Sequence, residues 1–228
     1  MVKAKRKPLK EIIETAKNYK KILTVGCGGC VSICHAGGQK EVTTLSVELN
    51  MAFTLDKLPN RVEGYTVERQ CNMKYLEELD EKAADYDCFL SMACGAGVQM
   101  LAERFQNIPV FPAPDTIAIG VDRDIGLSEE RCRACGHCVL ACTAGICPIT
   151  RCSKQLLNGP CGGTKAGGMC EISEAGEEIP CAWNEIYTRL EKQNRLDNIL
   201  KIQPIMEWRN KTQQLIVQEP YEKIYYHD

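Results

Sequence analysis

The most chemically distinctive part of this sequence is a run of closely spaced cysteines. Its members are Cys132, Cys135, Cys138 and Cys142. The spacing matches that of bacterial ferredoxins, in which thiolates from a compact loop hold a [4Fe–4S] cluster. In ferredoxins a proline follows the last cysteine, whereas here Thr143 follows Cys142 and Pro148 follows Cys147. Either Cys142 or Cys147 therefore completes a predicted four-thiolate site.

A second set of cysteines follows at wider spacing. It comprises Cys152, Cys161, Cys170 and Cys181, at steps of 9, 9 and 11 residues. Zinc and iron–sulfur clusters both accept four thiolates, so spacing alone does not choose between them. The compact first run favours a cluster because one short loop can reach three of its corners. For the wider set, zinc remains an alternative.

A glycine-rich turn near the N-terminus carries a third set. Its members are Cys27, Cys30 and Cys34. Glycine lets the backbone bend around a bulky inorganic centre. Cys94, in the sequence Ala93-Cys-Gly-Ala-Gly, is the predicted fourth thiolate, and Cys71 competes for that place. Zinc is an alternative to a cluster at this site as well.

The cysteine total argues for metal rather than disulfides. The chain of 228 residues contains 15 cysteines, an odd number, and its start shows no apolar secretory signal. Because disulfide frameworks are typical of short secreted chains, we expect a cytoplasmic protein. The sequence has no run of 18 apolar residues, which predicts no membrane span. A balance of 28 Lys and Arg against 30 Asp and Glu argues against a nucleic-acid-binding module.

Hydrophobic periodicity predicts a small α/β domain over residues 1–124. Helical patterns cover 7–20, 40–53, 74–84 and 97–105, and short apolar strands cover 22–25, 65–69, 88–92 and part of 109–121. Such alternation is typical of a doubly wound parallel sheet with helices on both faces. The early cluster of Lys and Arg before the first helix is predicted to be a solvated leader.

The α/β prediction gives the N-terminal cysteines a common location. The carboxyl ends of parallel strands meet at one edge of the sheet, where open α/β folds bind their ligands. The turn at 27–34 follows the first strand, Cys71 follows the second and Cys94 follows the third. These thiols are therefore predicted to converge. Cys88 begins an apolar strand and is predicted to be a buried core thiol.

Residues 125–181 are predicted to form a cysteine-rich domain, and residues 182–228 a C-terminal helix and tail. The cysteine-rich part has few large aliphatic residues, so metal binding would supply much of its folding free energy. The amphipathic helix predicted over 182–202 has two equal interpretations, packing on this chain or docking to a partner. The tail adds aromatic residues of the kind that enrich interfaces. These are Trp208, Tyr221, Tyr225 and Tyr226.

Several of these motifs resemble a known family. Four motifs resemble the C-terminal domain associated with methylenetetrahydrofolate reductases. They are Arg131-Cys-Arg-Ala-Cys-Gly-His-Cys, Gly145-Ile-Cys-Pro, Gly168-Met-Cys-Glu and Cys181-Ala-Trp. The N-terminal turn, Glu68-Arg-Gln-Cys71 and the turn around Cys94 resemble the other half of a MetV-type protein. MetV-type proteins are the iron–sulfur and zinc small subunits of the anaerobic two-subunit reductases. The resemblance covers most of residues 20–208.

The resemblance implies an accessory subunit with two or three [4Fe–4S] clusters, or with zinc in place of one cluster. Its partner would be a flavin-containing catalytic barrel subunit that reduces methylenetetrahydrofolate to methyltetrahydrofolate in the acetyl-CoA pathway. Cys142 stands where this family is expected to have another residue. The site of the compact run is therefore assigned Cys147 beside Cys132, Cys135 and Cys138. Three sites of four cysteines each use 12 of the 15 and leave three unassigned, which are Cys71, Cys88 and Cys142.

The residues themselves favour electron transfer over catalysis by this chain. The sequence shows no paired carboxylates in a shared motif and no Ser/His/Asp arrangement. Two rival functions remain at this level. One is a structural zinc-binding interaction subunit without a redox role. The other is an iron–sulfur adaptor that serves a different flavoenzyme or a heterodisulfide-reductase-like complex. For the reductase complex, further electron-transfer subunits are optional additional partners.

Overall fold

The computed structural model describes residues 1–206, 216–221 and 224. The strands within these residues are β1 (Val2–Arg6), β2 (Lys21–Cys27), β3 (Arg61–Val67), β4 (Cys88–Ser91), β5 (Val110–Pro112), β6 (Pro114–Asp124) and β7 (Leu127–Cys132). The α-helices are α1 (Leu9–Ala16), α2 (Cys30–Ile33), α3 (Gln39–Leu55), α4 (Met73–Leu76), α5 (Asp80–Ala83), α6 (Gly95–Arg104), α7 (Pro148–Arg151) and α8 (Ala182–Lys192).

Four strands form a parallel sheet in the order β3-β2-β4-β5. One face packs against apolar side chains of α1 and α3, including Ile12 and Leu45. The opposite face packs against the segment from α4 to α6, including Leu76 and Leu101. The predicted α/β fold with a parallel sheet is therefore confirmed, with helices on both faces of the sheet.

The central position of β2 follows from its composition. Six of its seven residues are buried, which is expected for a strand covered on both faces. α3 approaches β2 and its neighbour β3 closely because one glycine on each strand faces the helix. A Cβ at Gly26 would lie 2.5 Å from Val42 Cγ2, and a Cβ at Gly64 would lie 2.6 Å from Val42 Cγ1. Larger residues at either position would push the helix away from the sheet.

The remaining strands form an antiparallel sheet in the order β1-β6-β7. The prediction of a solvated leader was wrong, because β1 pairs with β6 and Lys3 is only 2% exposed. The basic residues of this segment have acidic partners. Lys3 pairs with Asp122, Arg6 with Glu48 at 2.7 Å, and Lys7 with Asp115 at 2.8 Å. Distant carboxylates allow a basic segment to form a strand.

Three predicted elements are divided in the structure. The apolar stretch at 109–121 contributes β5 to the parallel sheet and β6 to the antiparallel sheet, with buried Ala113 between them. The helix predicted at 74–84 consists of α4, a 3-10 turn at Glu77–Leu79 and α5. The helix predicted at 182–202 ends at Lys192, and the chain continues through Asn194, at φ 53°, to a 3-10 helix at Leu196–Leu200. A left-handed residue cannot continue a right-handed helix.

The predicted domain limit at 124/125 falls in the turn between β6 and β7, two strands of one sheet. Beyond β7 the chain is mostly irregular, and its small core includes Ile146, Trp183 and Ile186. Among the aromatic residues of the tail, Trp208, Tyr225, Tyr226 and the side chain of Tyr221 lie outside the described part. No described helix is long and apolar enough to cross a membrane.

Candidate metal centres

The first candidate site lies at the topological switch point of the parallel sheet, where the strand order reverses. From β2 the chain passes to β3 on one side and then to β4 and β5 on the other, so the carboxyl ends of β2 and β4 form the switch point at which open α/β folds bind their ligands. Cys27 is the last residue of β2, and Cys94 directly precedes α6, the helix that follows β4. Cys71 follows β3. Topology thus brings cysteines from three strand ends to one edge.

Side-chain packing brings several of these thiols together. Cys27 is 6% exposed and belongs to one apolar cluster against which Cys34 and Cys94 pack. Cys34 Sγ lies 3.8 Å from the Ala4 carbonyl oxygen of β1, so the antiparallel sheet covers part of this site. Cys30, the first residue of α2, lies outside the packed cluster, and Cys71 is exposed.

The pKa of Cys27 reflects both its burial and its neighbours. Burial raises the pKa of this thiol, and the nearby Cys71 and Cys94 raise it further. The backbone N–H groups of Gln70 and Gly29 oppose the rise because they stabilise a thiolate. Cys71 and Cys94 thus both lie within electrostatic reach of Cys27. The positive charge of a bound cation would stabilise the thiolates and offset the repulsion between them.

A cavity of about 300 Å³ forms the second candidate site. The cysteines that line it are Cys132, Cys135, Cys138 and Cys147. His137 also lines the cavity, whereas Cys142 does not. The loop bends through Ala134, at φ 49°, and Gly136, at φ 81°. These left-handed positions turn the chain around the cavity.

The residues around this cavity fit an iron–sulfur cluster. Four cysteine residues line one cavity. The volume of this cavity is at the lower end of the range for small-molecule and cofactor sites. The backbone N–H of Ala134 lies 3.3 Å from Cys132 Sγ, a contact of the kind that tunes cluster potentials. Tetrathiolate zinc would use the same donor set.

Three of the four cysteines in the wider set lie in or against the small core that includes α8. Cys181 is buried, and Cys152 and Cys170 pack against the same small core. Cys161 is exposed, and its Sγ lies 3.9 Å from Glu171 Oε2 and 3.4 Å from the Gly163 backbone nitrogen. The structure therefore gathers three of these thiols around one core and leaves the fourth on an exposed loop.

An ion pair borders this wider set. Lys154 Nζ lies 2.5 Å from Glu171 Oε1. The Glu171 carboxylate is the main cause that raises the pKa of Lys154, and the Cys161 and Cys152 thiols add to it. Sequence spacing gave no signal for this pair, because Lys154 and Glu171 are typical surface residues.

The spacing of the candidate ligands, among the described residues, bears on what kind of centre they could hold. Within the part of the chain that the structure describes, no three Cys, His, Asp or Glu side chains already stand in the arrangement that would hold one metal ion. The two histidines that flank cysteines differ in setting. His137 lines the cavity, whereas the His35 side chain is 58% exposed and its Nδ1 lies 4.0 Å from Glu41 Oε1.

Two polar residues at the sheet edge were missed by sequence reasoning. Gln70 and Ser91 are both fully buried and hydrogen-bond to each other beside the first site. The only sequence signal for Gln70 is its place directly before Cys71. Burial depends on how β2, β3 and β4 assemble, which a single sequence does not display.

Fold and sites together define a cysteine-rich α/β protein with a parallel sheet, an antiparallel sheet and two regions of clustered thiols. A family model described as methylene-tetrahydrofolate reductase C terminal matches residues 111–209. This match supports the resemblance seen in the sequence, and it includes every cysteine from Cys132 to Cys181 but none of the first six. No curated protein and no solved structure matches the chain.

Proposed function

We propose that this chain is a non-catalytic electron-transfer subunit of a methylenetetrahydrofolate reductase complex. It would carry two or three [4Fe–4S] clusters, with zinc in place of one cluster as the alternative. Its partner would be a flavin-containing catalytic subunit that reduces methylenetetrahydrofolate to methyltetrahydrofolate. The observation that carries the proposal is the convergence of Cys132, Cys135, Cys138 and Cys147 on one cavity.

The position of this cavity suits electron exchange with another protein. Cys132 and Cys138 are exposed, whereas Cys135 and Cys147 are partly buried, so one side of the site faces solvent. A bound cluster would supply one-electron redox chemistry there. The chain itself would hold the thiolates, shape the cavity and keep four of its own side chains at the metal, which leaves no open position for a substrate.

The family match supports the choice of complex. It covers the cavity and the wider cysteine set, and its description names methylene-tetrahydrofolate reductase. Hydride and methylene chemistry requires an organic cofactor and a folate site, which a catalytic partner would provide. The role left for this chain is to connect that partner with an electron carrier.

Two matched substitutions test the cluster assignment. Cys147→Ser removes a thiol that lines the cavity, and Cys142→Ser removes one five residues away that does not. We expect Cys147→Ser to lose about four iron atoms per chain and one reducible EPR signal, and Cys142→Ser to retain both. Equal iron loss in both variants, or none in Cys147→Ser, would contradict the assignment.

Purification under anaerobic conditions tests the function itself. We expect the chain to contain iron, to show a reducible EPR signal and to co-purify with a flavin-containing subunit. Folate reduction by that complex with a physiological electron donor should require this chain. Zinc alone, without a reducible signal, would identify a structural subunit instead. Association with a flavoprotein that does not reduce methylenetetrahydrofolate would identify an adaptor of another complex.

A further inference from the structure

One buried amide connects the strand ends that carry the N-terminal thiols. Gln70 is fully buried and lies between the last residue of β3 and Cys71. Its Nε2 donates hydrogen bonds to the carbonyl oxygens of Val25 at 2.7 Å and Gly26 at 3.1 Å. These two carbonyls immediately precede Cys27. The amide nitrogen of Gln70 therefore fixes the end of β2 against the segment that follows β3.

The other end of the same amide reaches β4. Ser91 Oγ donates a hydrogen bond of 2.6 Å to Gln70 Oε1, and the Ala93 backbone N–H donates to Ser91 Oγ at 3.3 Å. Ser91 ends β4, and Ala93 directly precedes Cys94. One side chain thus links the three chain segments that carry Cys27, Cys71 and Cys94.

Backbone packing around Gln70 leaves little freedom. A Cβ at Gly97 of α6 would lie 2.9 Å from Gln70 Cβ and 3.6 Å from the Cys71 nitrogen. The Gly28 backbone N–H donates to the Val67 carbonyl at 2.9 Å, so the turn after Cys27 runs beside the segment that ends at Cys71. The N-terminus of α6 and the turn after Cys27 are therefore packed against the segment that carries Gln70 and Cys71.

The chemistry of this environment explains why an amide is needed. The Ser91 hydroxyl requires an acceptor in this buried region, and the carbonyls of Val25 and Gly26 accept hydrogen bonds from the same side chain. The Val25 carbonyl also accepts from the Met92 backbone N–H at 2.8 Å, so the Gln70 amide adds to the pairing of β2 with the segment after β4. Glutamine supplies both functions on one side chain. An apolar residue of the same size would leave the Ser91 hydroxyl without this acceptor, and the three strand ends would lose their common attachment.

We propose that Gln70 is a positioning residue that holds Cys27, Cys71 and Cys94 together so that these three thiolates bind one metal centre. The inference rests on the proposed function only in requiring that the sheet-edge site binds a metal. Gln70 acts through the backbone on either side of the thiols and does not itself bind the metal. The proposal also places Cys71 among the ligands.

The test uses the full-length chain and measures metal content and metal release. The numbers of iron and zinc atoms per chain are determined for the unchanged protein and for Cys27→Ser. The metal that Cys27→Ser lacks is defined as the share of metal held at the sheet edge. Cys71→Ser and Cys94→Ser should each lose that same share. Retention of the share in Cys71→Ser would overturn the assignment of Cys71, and with it the proposal.

The decisive variant is Gln70→Leu, and Asn50→Leu is its matched control. Asn50 also bridges a helix and a strand through its amide, with Nδ2 2.7 Å from the Val62 carbonyl and Oδ1 3.0 Å from the Val62 nitrogen. Val62 is near the start of β3, at the opposite end of the strand from the sheet-edge site. Release of the sheet-edge metal to a chelator should be about tenfold faster or more in Gln70→Leu. Asn50→Leu should change that rate by less than about twofold, even at a comparable loss of thermal stability.

Each other outcome has a definite meaning. Equal acceleration in Gln70→Leu and Asn50→Leu would show that Gln70 only stabilises the fold, which overturns the proposal. If Gln70→Leu does not fold, Ser91→Ala removes one arm of the network and should accelerate release in the same direction by a smaller factor, and no acceleration would overturn the proposal. Unchanged metal content in Cys27→Ser would overturn this site while leaving the cluster at Cys147 to its own test.

Discussion

Buried thiols in this protein differ in chemistry because their neighbours differ. Cys88 is fully buried in the core between the sheet, α1 and α3, as the sequence predicted. Burial, with a smaller contribution from Asp87, raises its pKa to about 12. Cys27 is also buried, but backbone N–H groups and two other cysteines surround it. Cys88 is therefore an inert core residue, and Cys27 is a candidate ligand.

The raised pKa of Cys88 predicts a loss of stability in alkaline solution. The unfolded chain ionises this thiol near pH 9, whereas the folded chain keeps it protonated until about pH 12. Its contribution to stability is therefore complete below pH 9 and falls as the pH rises from 9 to 12. We expect the free energy of unfolding to decrease by about 1 kcal/mol more between pH 8 and pH 10 in the unchanged chain than in Cys88→Ala.

The difference between these two chains isolates Cys88 from other alkaline groups. The pKa of Tyr86 is also raised to about 12, mainly by burial and by its hydrogen bond to Glu63, and this tyrosine is present in both chains. Urea denaturation at the two pH values gives the comparison. Parallel pH profiles for the two chains would contradict the assignment of Cys88 as a buried neutral thiol.

At the scale of elements, α8 serves as the scaffold of the cysteine-rich region. Ile186 and Leu190 are fully buried in the small core, and Trp183 Nε1 donates a hydrogen bond of 2.9 Å to the Leu156 carbonyl. Arg151 and Glu185 form an ion pair at 2.7 Å between α7 and α8. Of the two equal interpretations of this amphipathic helix, packing on its own chain is the one observed.

Substitutions of a buried and an exposed residue of α8 test this role. Leu190→Ala should lower the free energy of unfolding by about 2–5 kcal/mol, because it leaves a cavity in a small core. Tyr187→Ala changes a side chain that is 47% exposed and should cost less than about 0.5 kcal/mol. Urea denaturation followed by circular dichroism measures both. Similar decreases in the free energy of unfolding for the two variants would mean that Leu190 does not lie on the packing face of α8.

On the scale of the whole molecule, the antiparallel sheet connects the two cysteine regions. β1 contributes the Ala4 carbonyl beside Cys34, and β6 contributes Thr116, whose Oγ1 accepts a 2.8 Å hydrogen bond from the Gly95 backbone next to Cys94. β7 ends at Cys132, which lines the cavity. The two candidate sites therefore share one structural support, although the intervening chain crosses a predicted domain limit.

Removal of metal should affect the two regions differently. The parallel sheet has apolar layers on both faces, whereas residues 133–181 have one small core and mostly irregular backbone. After chelation under reducing conditions, we expect hydrogen exchange to become fast over 133–181 and to remain slow in β2 and β4. Mass spectrometry of peptic fragments measures this. Uniform loss of protection, or none, would contradict a region that depends on metal for its folding.

Local sequence patterns determined much of the parallel part of the fold. The buried strand at Ile22–Val25, the helix that begins near Lys40 and the apolar strand at Cys88 are all visible in the sequence and present in the structure. Each depends on hydrophobic periodicity within a few residues, which a sequence displays directly. The cysteine spacing likewise determined which loops could hold a metal.

Only tertiary structure decided the features that depend on distant partners. β1 forms because β6 pairs with it and carboxylates compensate Lys3 and Arg6, and neither effect is visible in residues 2–6 alone. Gln70 becomes a link between strand ends only when β2, β3 and β4 are side by side. Cys147 lines the cavity and Cys142 does not, because the chain turns between them through residues with positive φ, Ala144 and Gly145. Sequence thus supplied the donor atoms and the short-range elements, whereas their relative positions follow from contacts between residues far apart in the chain.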